Sequence, residues 1–431
     1  MRADTARTDA HSGTGWGAVA LVVAAGIVSA FQAGKAAIAT PWLLADLGLD
    51  LSAVGWLTGI FALLGILGGI PAGALVARIG DRPVLLAGLA AALLGAVLGA
   101  LAPDYAVLLG ARILEGLGFL FITVAGPAIL ERAVQPARRE FAFGLWSCFM
   151  PAGLALAMGV GPQYGDWRNL WWASAGLAAA VLAAAALLPP ASPRVSLPMR
   201  SIAGNALSVL GNRPAVLLAL CFALYSLMFF ALFGFLPVLL VERMGVDGQA
   251  AGLMAALAAA ANIIGNLAAG RLLARGARRF VLVAAACLAM GLAAPGIYLQ
   301  WFGALPTLLL CILFSAVGGL VPATLISSAP LLAREAGLAP VLLGLLMQGS
   351  ALGQVLGPVV VGGAIQAHGW QAAAWIVLVS APAGAGRGRG LPARRDGERR
   401  RRGLPVGAGD GTAADGADGP VGTAAVTGCD V

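Results

Sequence analysis

Charge is what this chain has least of. Only 11% of its 431 residues are Asp, Glu, Lys or Arg, against 60% hydrophobic. A soluble domain needs a charged, hydrated surface, so this composition excludes one and leaves most of the exterior to lipid. Histidine is nearly missing too, with only His11 and His368, and none of the five cysteines stands at metal-ligand spacing. Cys148, Cys221, Cys287 and Cys311 sit in apolar runs and read as small buried hydrophobes, while Cys429 is in the C-terminal tail. No metal, cofactor or disulfide framework is expected. A membrane-embedded enzyme would need a nucleophile–base pair, a metal cluster or paired carboxylates. The apolar runs hold no histidine, and Glu115 is their one well-buried acid. Catalysis is therefore ranked low.

Long apolar runs, by contrast, recur from Trp16 almost to Pro382. A helix needs about 20 apolar residues to cross a bilayer. The runs are far longer than the alternating segments, roughly 10 residues each, of a membrane barrel. An all-α membrane protein of about twelve transmembrane helices follows. The first run begins after a polar stretch, Met1 to Gly15, and is too long for a signal-peptide core. The expected organisation is a cytoplasmic tail over 1–16, six spans over 17–189, a central loop over 190–213, six more spans over 214–385 and a tail over 386–431.

Arginine orients the chain. One set of alternate loops carries Arg78, Arg82, Arg132, Arg138, Arg139, Arg194, Arg200, Arg213, Arg271, Arg275, Arg278, Arg279 and Arg334, and the N-terminus adds Arg2 and Arg7. The opposite set has only Arg168 and Arg243, beside acids such as Asp46, Asp50 and Asp247. By the positive-inside rule the Arg-rich side is cytoplasmic, so both termini lie inside and the expected location is the cytoplasmic membrane. The net charge of +8 then points to anionic lipid headgroups rather than nucleic acid.

The two sets of six spans resemble each other. Gly73-Ala-Leu-Val-Ala-Arg78 recurs as Gly270-Arg-Leu-Leu-Ala-Arg275, each at the Arg-rich end of its half's second span. Gly144 to Gly153 has a counterpart in Gly344 to Gly353, and a tryptophan follows each, Trp167 and Trp370. Two pseudo-symmetric six-helix bundles are expected, a duplication typical of secondary transporters and unlike a channel or receptor.

The stretch from Gly73 to Arg82 resembles the loop signature between the second and third spans of the major facilitator superfamily, usually written G-x-L-A-D-R-x-G-R-R. Gly73, Leu75, Arg78, Gly80 and Arg82 match; Ala77 replaces the usual Asp and Asp81 a usual basic residue. Arg112-Ile-Leu-Glu-Gly116 is similar to the family's R-x-x-x-G signature in span four, and the turns before Trp167 and Trp370 fit as well. The resemblance covers roughly residues 17–385. It implies two bundles rocking about a central site lined by spans one, four, seven and ten. It also implies a gating motif at Gly73, Arg78, Gly80, Asp81 and Arg82 that steadies the outward-facing state, with Ala77 leaving its charge network incomplete unless Asp81 substitutes. Phe31-Gln-Ala-Gly-Lys35 with Pro41, and Gly144-Leu-Trp with Met150-Pro-Ala-Gly153, are similar to the cyanate/nitroimidazole and nitrate/nitrite-type members.

In a transporter the informative residues are polar groups where lipid should forbid them. Lys35, Arg112 and Glu115 fall well inside spans, each at about 2.5–3.5 kcal/mol on insertion scales. Lys35 is also the only lysine; the other basic residues are all Arg. Glu115, three residues from Arg112, shares its helix face and can pair with it. That pairing leaves Lys35 without an acidic partner, so a small anion bound by Lys35 and Arg112 is expected, with Glu115 tuning Arg112 or carrying a coupling proton. The alternative is a structural Lys35–Glu115 ion pair, or a Lys35 that reaches the interface. Tyr225 and Gln348 are further substrate-binding candidates. Asn262 and Asn266 read as ties between helices, and Trp146, Phe149 and Phe229 as packing or lipid-facing. Bends are expected at Pro41, Pro151, Pro322 and Pro358. A monomer is expected. Proton-coupled efflux of hydrophobic or cationic compounds stays open as the other transporter reading.

The twelfth span looks truncated, with its apolar run ending near Pro382. From Gly386 onward the chain has no Phe, Ile, Met, Trp or Tyr. Such a segment cannot build a core. An altered reading frame is one account of it; a basic tail binding headgroups through Arg399 to Arg402 is the other.

Overall fold

The computed structural model describes residues 15–49, 51–187, 202–333 and 338–387. The expectations placed on Arg2, Arg7, His11, Asp50, Arg194, Arg200, Arg334 and Cys429, and on the tail from residue 388, lie outside the described residues.

Among the described residues every regular element is a helix. The first set comprises α1 (Trp16–Leu47), α2 (Leu51–Ile79), α3 (Asp81–Ala100), α4 (Tyr105–Ala133), a fifth span in two pieces, α5 (Arg139–Ser147) and α6 (Phe149–Val160), and α7 (Trp167–Ala186). A short α8 (Ile202–Leu210) leads into the second set: α9 (Arg213–Phe233) with α10 (Leu236–Met244), α11 (Gly248–Ala274), α12 (Arg279–Tyr298), α13 (Ala304–Gly318) with α14 (Leu320–Leu332), α15 (Ala339–His368) and α16 (Trp370–Arg387). Eleven of the resulting helical segments are long and apolar enough to cross a membrane. The last helix, α16, completes the set of twelve with 18 residues, fewer than any of the eleven. It passes through Pro382 and runs on to Arg387, about 27 Å at 1.5 Å per residue, close to the hydrocarbon thickness.

The three breaks share one cause. A proline inside a helix lacks the N–H that would bond the carbonyl four residues back, and its ring crowds that carbonyl. The first pieces end at Ser147, Phe233 and Gly318, each four positions before a proline: Pro151, Pro237 and Pro322. Pro41 and Pro358 stay inside continuous helices. Large apolar side chains such as Leu67, Ile264 and Leu292 are left exposed on the outer faces, the surface that lipid covers.

In the first set, α1 packs on α4, α6 and α7, and α3 on α4 and α7. In the second, α9 packs on α15 and α16, α12 on α13 and α16, and α11 on α13 and α14. The sets meet where α2 lies on α15 and α11 on α5 and α6. Glycines allow that meeting, as close helix approach without bulky side chains requires. A Cβ on Gly344 would overlap the backbone of Gly69, one on Gly73 would strike the backbone of Pro340 and Val341, and one on Gly144 would lie 3.1 Å from the Gly270 Cα. Glu140 on α5 and Arg279 on α12 add an ion pair across the same seam. The contacts sit toward the Arg-rich ends of these helices.

The opposite ends carry matched braces. The Trp167 indole donates to Asp46 near the end of α1, at 2.8 Å, and the Trp370 indole donates to Glu242 near the end of α10, at 3.0 Å. Each half thus ties the start of its last span to the end of its first, a pseudo-symmetry of side chains as well as of helices.

Candidate functional site

Buried charge comes first. Lys35 on α1 and Arg112 and Glu115 on α4 are all at most 1% exposed. Gly95 on α3 lets α4 come close: a Cβ there would lie 2.7 Å from the Glu115 Cγ. The expectation that Lys35 lacks an acidic partner does not hold. Its Nζ donates to Glu115 Oε1 at 2.6 Å, to Gln32 Oε1 at 2.9 Å and to Ser174 Oγ at 2.7 Å. Glu115 Oε2 accepts from Arg112 Nη1 at 2.5 Å, so the one carboxylate bridges both cations. Pairing Glu115 with Arg112 does not exhaust it, because a carboxylate has two oxygens and α1 passes within reach of the second. Arg112 also donates from Nε to the Leu57 carbonyl at 2.9 Å and from Nη1 to the Gln32 carbonyl at 2.8 Å. Among the described residues its Nη2 is buried and has no hydrogen-bond partner. Aromatic rings cover both cations: Trp171 lies 4.4 Å from Lys35 Nζ, and Phe61 lies 4.0 Å from the Arg112 guanidinium carbon. Two basic side chains share one carboxylate, so with both protonated the cluster holds one positive charge in excess.

A second polar cluster, without charge, occupies the other half. Asn262 on α11 donates to the Tyr225 hydroxyl on α9 at 3.2 Å and to the Ser315 carbonyl on α13 at 2.8 Å. Asn266 donates to Asn262 Oδ1 at 2.8 Å. Ser226 and Ser350 share a hydrogen bond of 3.1 Å between α9 and α15.

Between the halves lies a cavity of about 70 Å³. Its wall is largely aromatic, with Phe61, Phe119, Phe149, Phe222, Phe229 and Phe230, and the Tyr225 hydroxyl, Asn262, Ser350 and Gln354 supply polar groups. Among the described residues, no charged side chain lines it. Of the residues singled out from sequence, Tyr225 lines the cavity, while Lys35 and Arg112 stand behind the wall and Gln348 is elsewhere. Gln348 donates to the Ile66 carbonyl at 2.6 Å and ties α15 to α2. Trp146 is packing, fully buried against Gly26 and Gly126, but Phe149 and Phe229 face the cavity. Phe61, Gln32, Ser174 and Trp171 were not singled out. Gln32 alone had a legible signal, lying one helical turn before Lys35.

The residues expected to form a gating motif separate into two structural roles. Gly73 is part of the α2–α15 seam. Gly80 sits at φ +97°, a conformation that favours glycine, and turns the chain so that Asp81 opens α3. Asp81 accepts from Arg132 Nε at 3.0 Å and Nη2 at 3.2 Å, bracing α3 to the end of α4. Arg82 donates to the Ala186 carbonyl at 2.9 Å, and Arg78 is exposed.

The Major Facilitator Superfamily model matches residues 22–351, more than half of the chain. The chain belongs to that superfamily. It is similar to the 3-(3-hydroxy-phenyl)propionate transporter of Escherichia coli (strain K12), 28% identical over 52% of this chain and 56% of that protein. It is also similar to a puromycin resistance protein of Streptomyces alboniger, 29% identical over 40% of this chain and 35% of that one. The chain thus spans about half or less of the length of these curated relatives. Its fold matches the human organic anion transporter MFSD10 with a TM-score of 0.71, at 20% identity, over 86% of this chain and 99% of that structure. The Escherichia coli relative and MFSD10 are both named as transporters, and eleven helical segments of this chain are long and apolar enough to cross a membrane.

Proposed function

We propose that this superfamily member is a secondary active transporter that moves a small organic anion with an apolar body across the cytoplasmic membrane by alternating access. The observation that carries the reading is the excess positive charge of the Lys35–Arg112–Glu115 cluster, fully buried one aromatic ring behind the central cavity. A buried charge without a counter-charge is costly, and an anionic substrate supplies one. The aromatic wall suits the rest of such a molecule, with Tyr225 and Asn262 as hydrogen-bonding groups. The aromatic acid named for the Escherichia coli relative has this chemistry, and the sequence likeness to cyanate and nitrate-type members agrees in sign of charge.

In the same reading both termini lie in the cytoplasm and the Arg-rich end is the cytoplasmic end. The glycine seam and Glu140–Arg279 keep that end shut, and Asp81 takes the bracing role that Ala77 cannot. A proton is the coupling ion in this scheme. A second reading, efflux of uncharged or cationic aromatic compounds, is favoured by the absence of charge from the cavity wall itself and by the resistance protein among the relatives.

Proteoliposomes separate the two. Under an imposed proton gradient, labelled arylalkanoates should accumulate or exchange, and Arg112→Met should abolish this at matched reconstitution. Transport of aromatic amines in preference to the acids would overturn the anion reading in favour of efflux.

A further inference from the structure

The three charged groups of the cluster are not equally satisfied. Lys35 has an oxygen acceptor for each of its three N–H bonds. Arg112 does not: Nε and Nη1 are engaged, while Nη2 is buried and unpartnered. An unmade hydrogen bond on a buried guanidinium is expensive. What stands against that guanidinium is the face of Phe61, 4.0 Å away. A ring face offsets a cation through its quadrupole, but less fully than a carboxylate, which takes the N–H bonds as well.

Phe61 is also a wall residue of the cavity, 6% exposed. Its ring packs edge-on against Phe119 at 5.9 Å. Beside it the wall is made of small residues, Ala62, Gly65 and Ala351. The side chain therefore separates the cavity from Arg112, has an electrostatic reason to stay while the site is empty, and shares the wall with small residues.

We propose that Phe61 is a displaceable cover over an anion site at Arg112: a carboxylate whose apolar body lies in the cavity replaces the ring at the guanidinium and takes the free Nη2. This rests on the anion reading above and adds that selection for the charge is made by Phe61, which small anions without an apolar body cannot move. Phe61 is then a specificity-determining residue, and Lys35 a positioning one that holds Glu115 in place.

The test is binding to the detergent-purified full chain, followed by calorimetry, of 3-phenylpropionate, its neutral amide and acetate. Wild type should prefer the acid to the amide and ignore acetate. Phe61→Leu keeps an apolar cover but loses the quadrupole, so acid affinity should rise about tenfold (1.4 kcal/mol), acetate binding should become measurable, and amide affinity should stay as it was. Phe61→Tyr, which keeps the ring, should behave as wild type. Arg112→Gln should abolish the preference for acid over amide.

Equal changes for acid and amide in Phe61→Leu, or none, would mean that the ring is wall and nothing more. That would overturn this inference while leaving the anion reading in place if Arg112→Gln still loses the preference. A preference that survives Arg112→Gln, or a wild type that binds acid and amide alike, would sink the anion reading itself.

Discussion

The two halves of the molecule share a helix plan and differ in the chemistry at their centres. The first half buries two cations and a carboxylate between α1, α4 and α7; the second buries amides, hydroxyls and a phenol between α9, α11, α13 and α15. The outer braces, Trp167 on Asp46 and Trp370 on Glu242, are alike, so the halves differ at the core and not at these braces. Charge interacts over distance and changes with a proton or an anion, whereas amide and hydroxyl groups recognise shape and direction. Under the anion reading proposed above, the division would leave charge recognition to one half and orientation of the substrate to the other.

The sharpest way to break this division is to remove the shared carboxylate. Glu115→Gln leaves two buried cations without a counter-charge and should destabilise the folded protein by about 3–5 kcal/mol, read as loss of yield and thermal stability in detergent. Lys35→Met leaves a neutral Arg112–Glu115 pair, so it should cost far less stability. If the two variants melt together, the carboxylate is not the keystone of the first half.

Next in size is the seam. Gly344→Leu drives a side chain into the Gly69 backbone and should cost about 1–3 kcal/mol as overpacking. It should also part the Arg-rich ends, so a cysteine placed at Arg275 should label faster. Unchanged labelling would show that the seam is not what holds that end shut.

Asn262→Leu should be milder, at about 0.6–1.7 kcal/mol for interhelical hydrogen bonds in a membrane. Thermal unfolding would show it, and a loss as large as that of Glu115→Gln would erase the contrast between the halves. Smallest are the rim braces: Trp167→Phe and Trp370→Phe should each lose one hydrogen bond, about 0.5–1.5 kcal/mol, and by nearly equal amounts. A much larger loss at one of them would show that the rims have diverged too.

How much of this was legible in sequence depends on whether the signal was local. Spans, their count and their pairing into halves follow from apolar length and repeated landmarks, both visible along the chain. Lys35, Arg112 and Glu115 were visible because charge inside an apolar run stands out. Their bonding was not, since whether Glu115 serves one cation or two depends on how near α1 passes to α4, where the Gln32 carbonyl accepts from Arg112. Phe61, Phe149 and Phe229 were illegible as cavity residues for a simpler reason. In a membrane protein, an aromatic facing lipid, core or cavity looks the same along the chain.

The three proline breaks, at Pro151, Pro237 and Pro322, bear on how such a protein bends. Each removes one rung of the helical ladder, and a rod with a missing rung is compliant at that point and stiff on either side. All three lie in spans that wall the cavity, through Phe149 on α6, Phe229 on α9 and Ile326 on α14. These spans can therefore behave as jointed struts rather than single levers, with one end changing its tilt independently of the other; in the α5–α6 span the end that holds Gly144 is the one packed at the glycine seam.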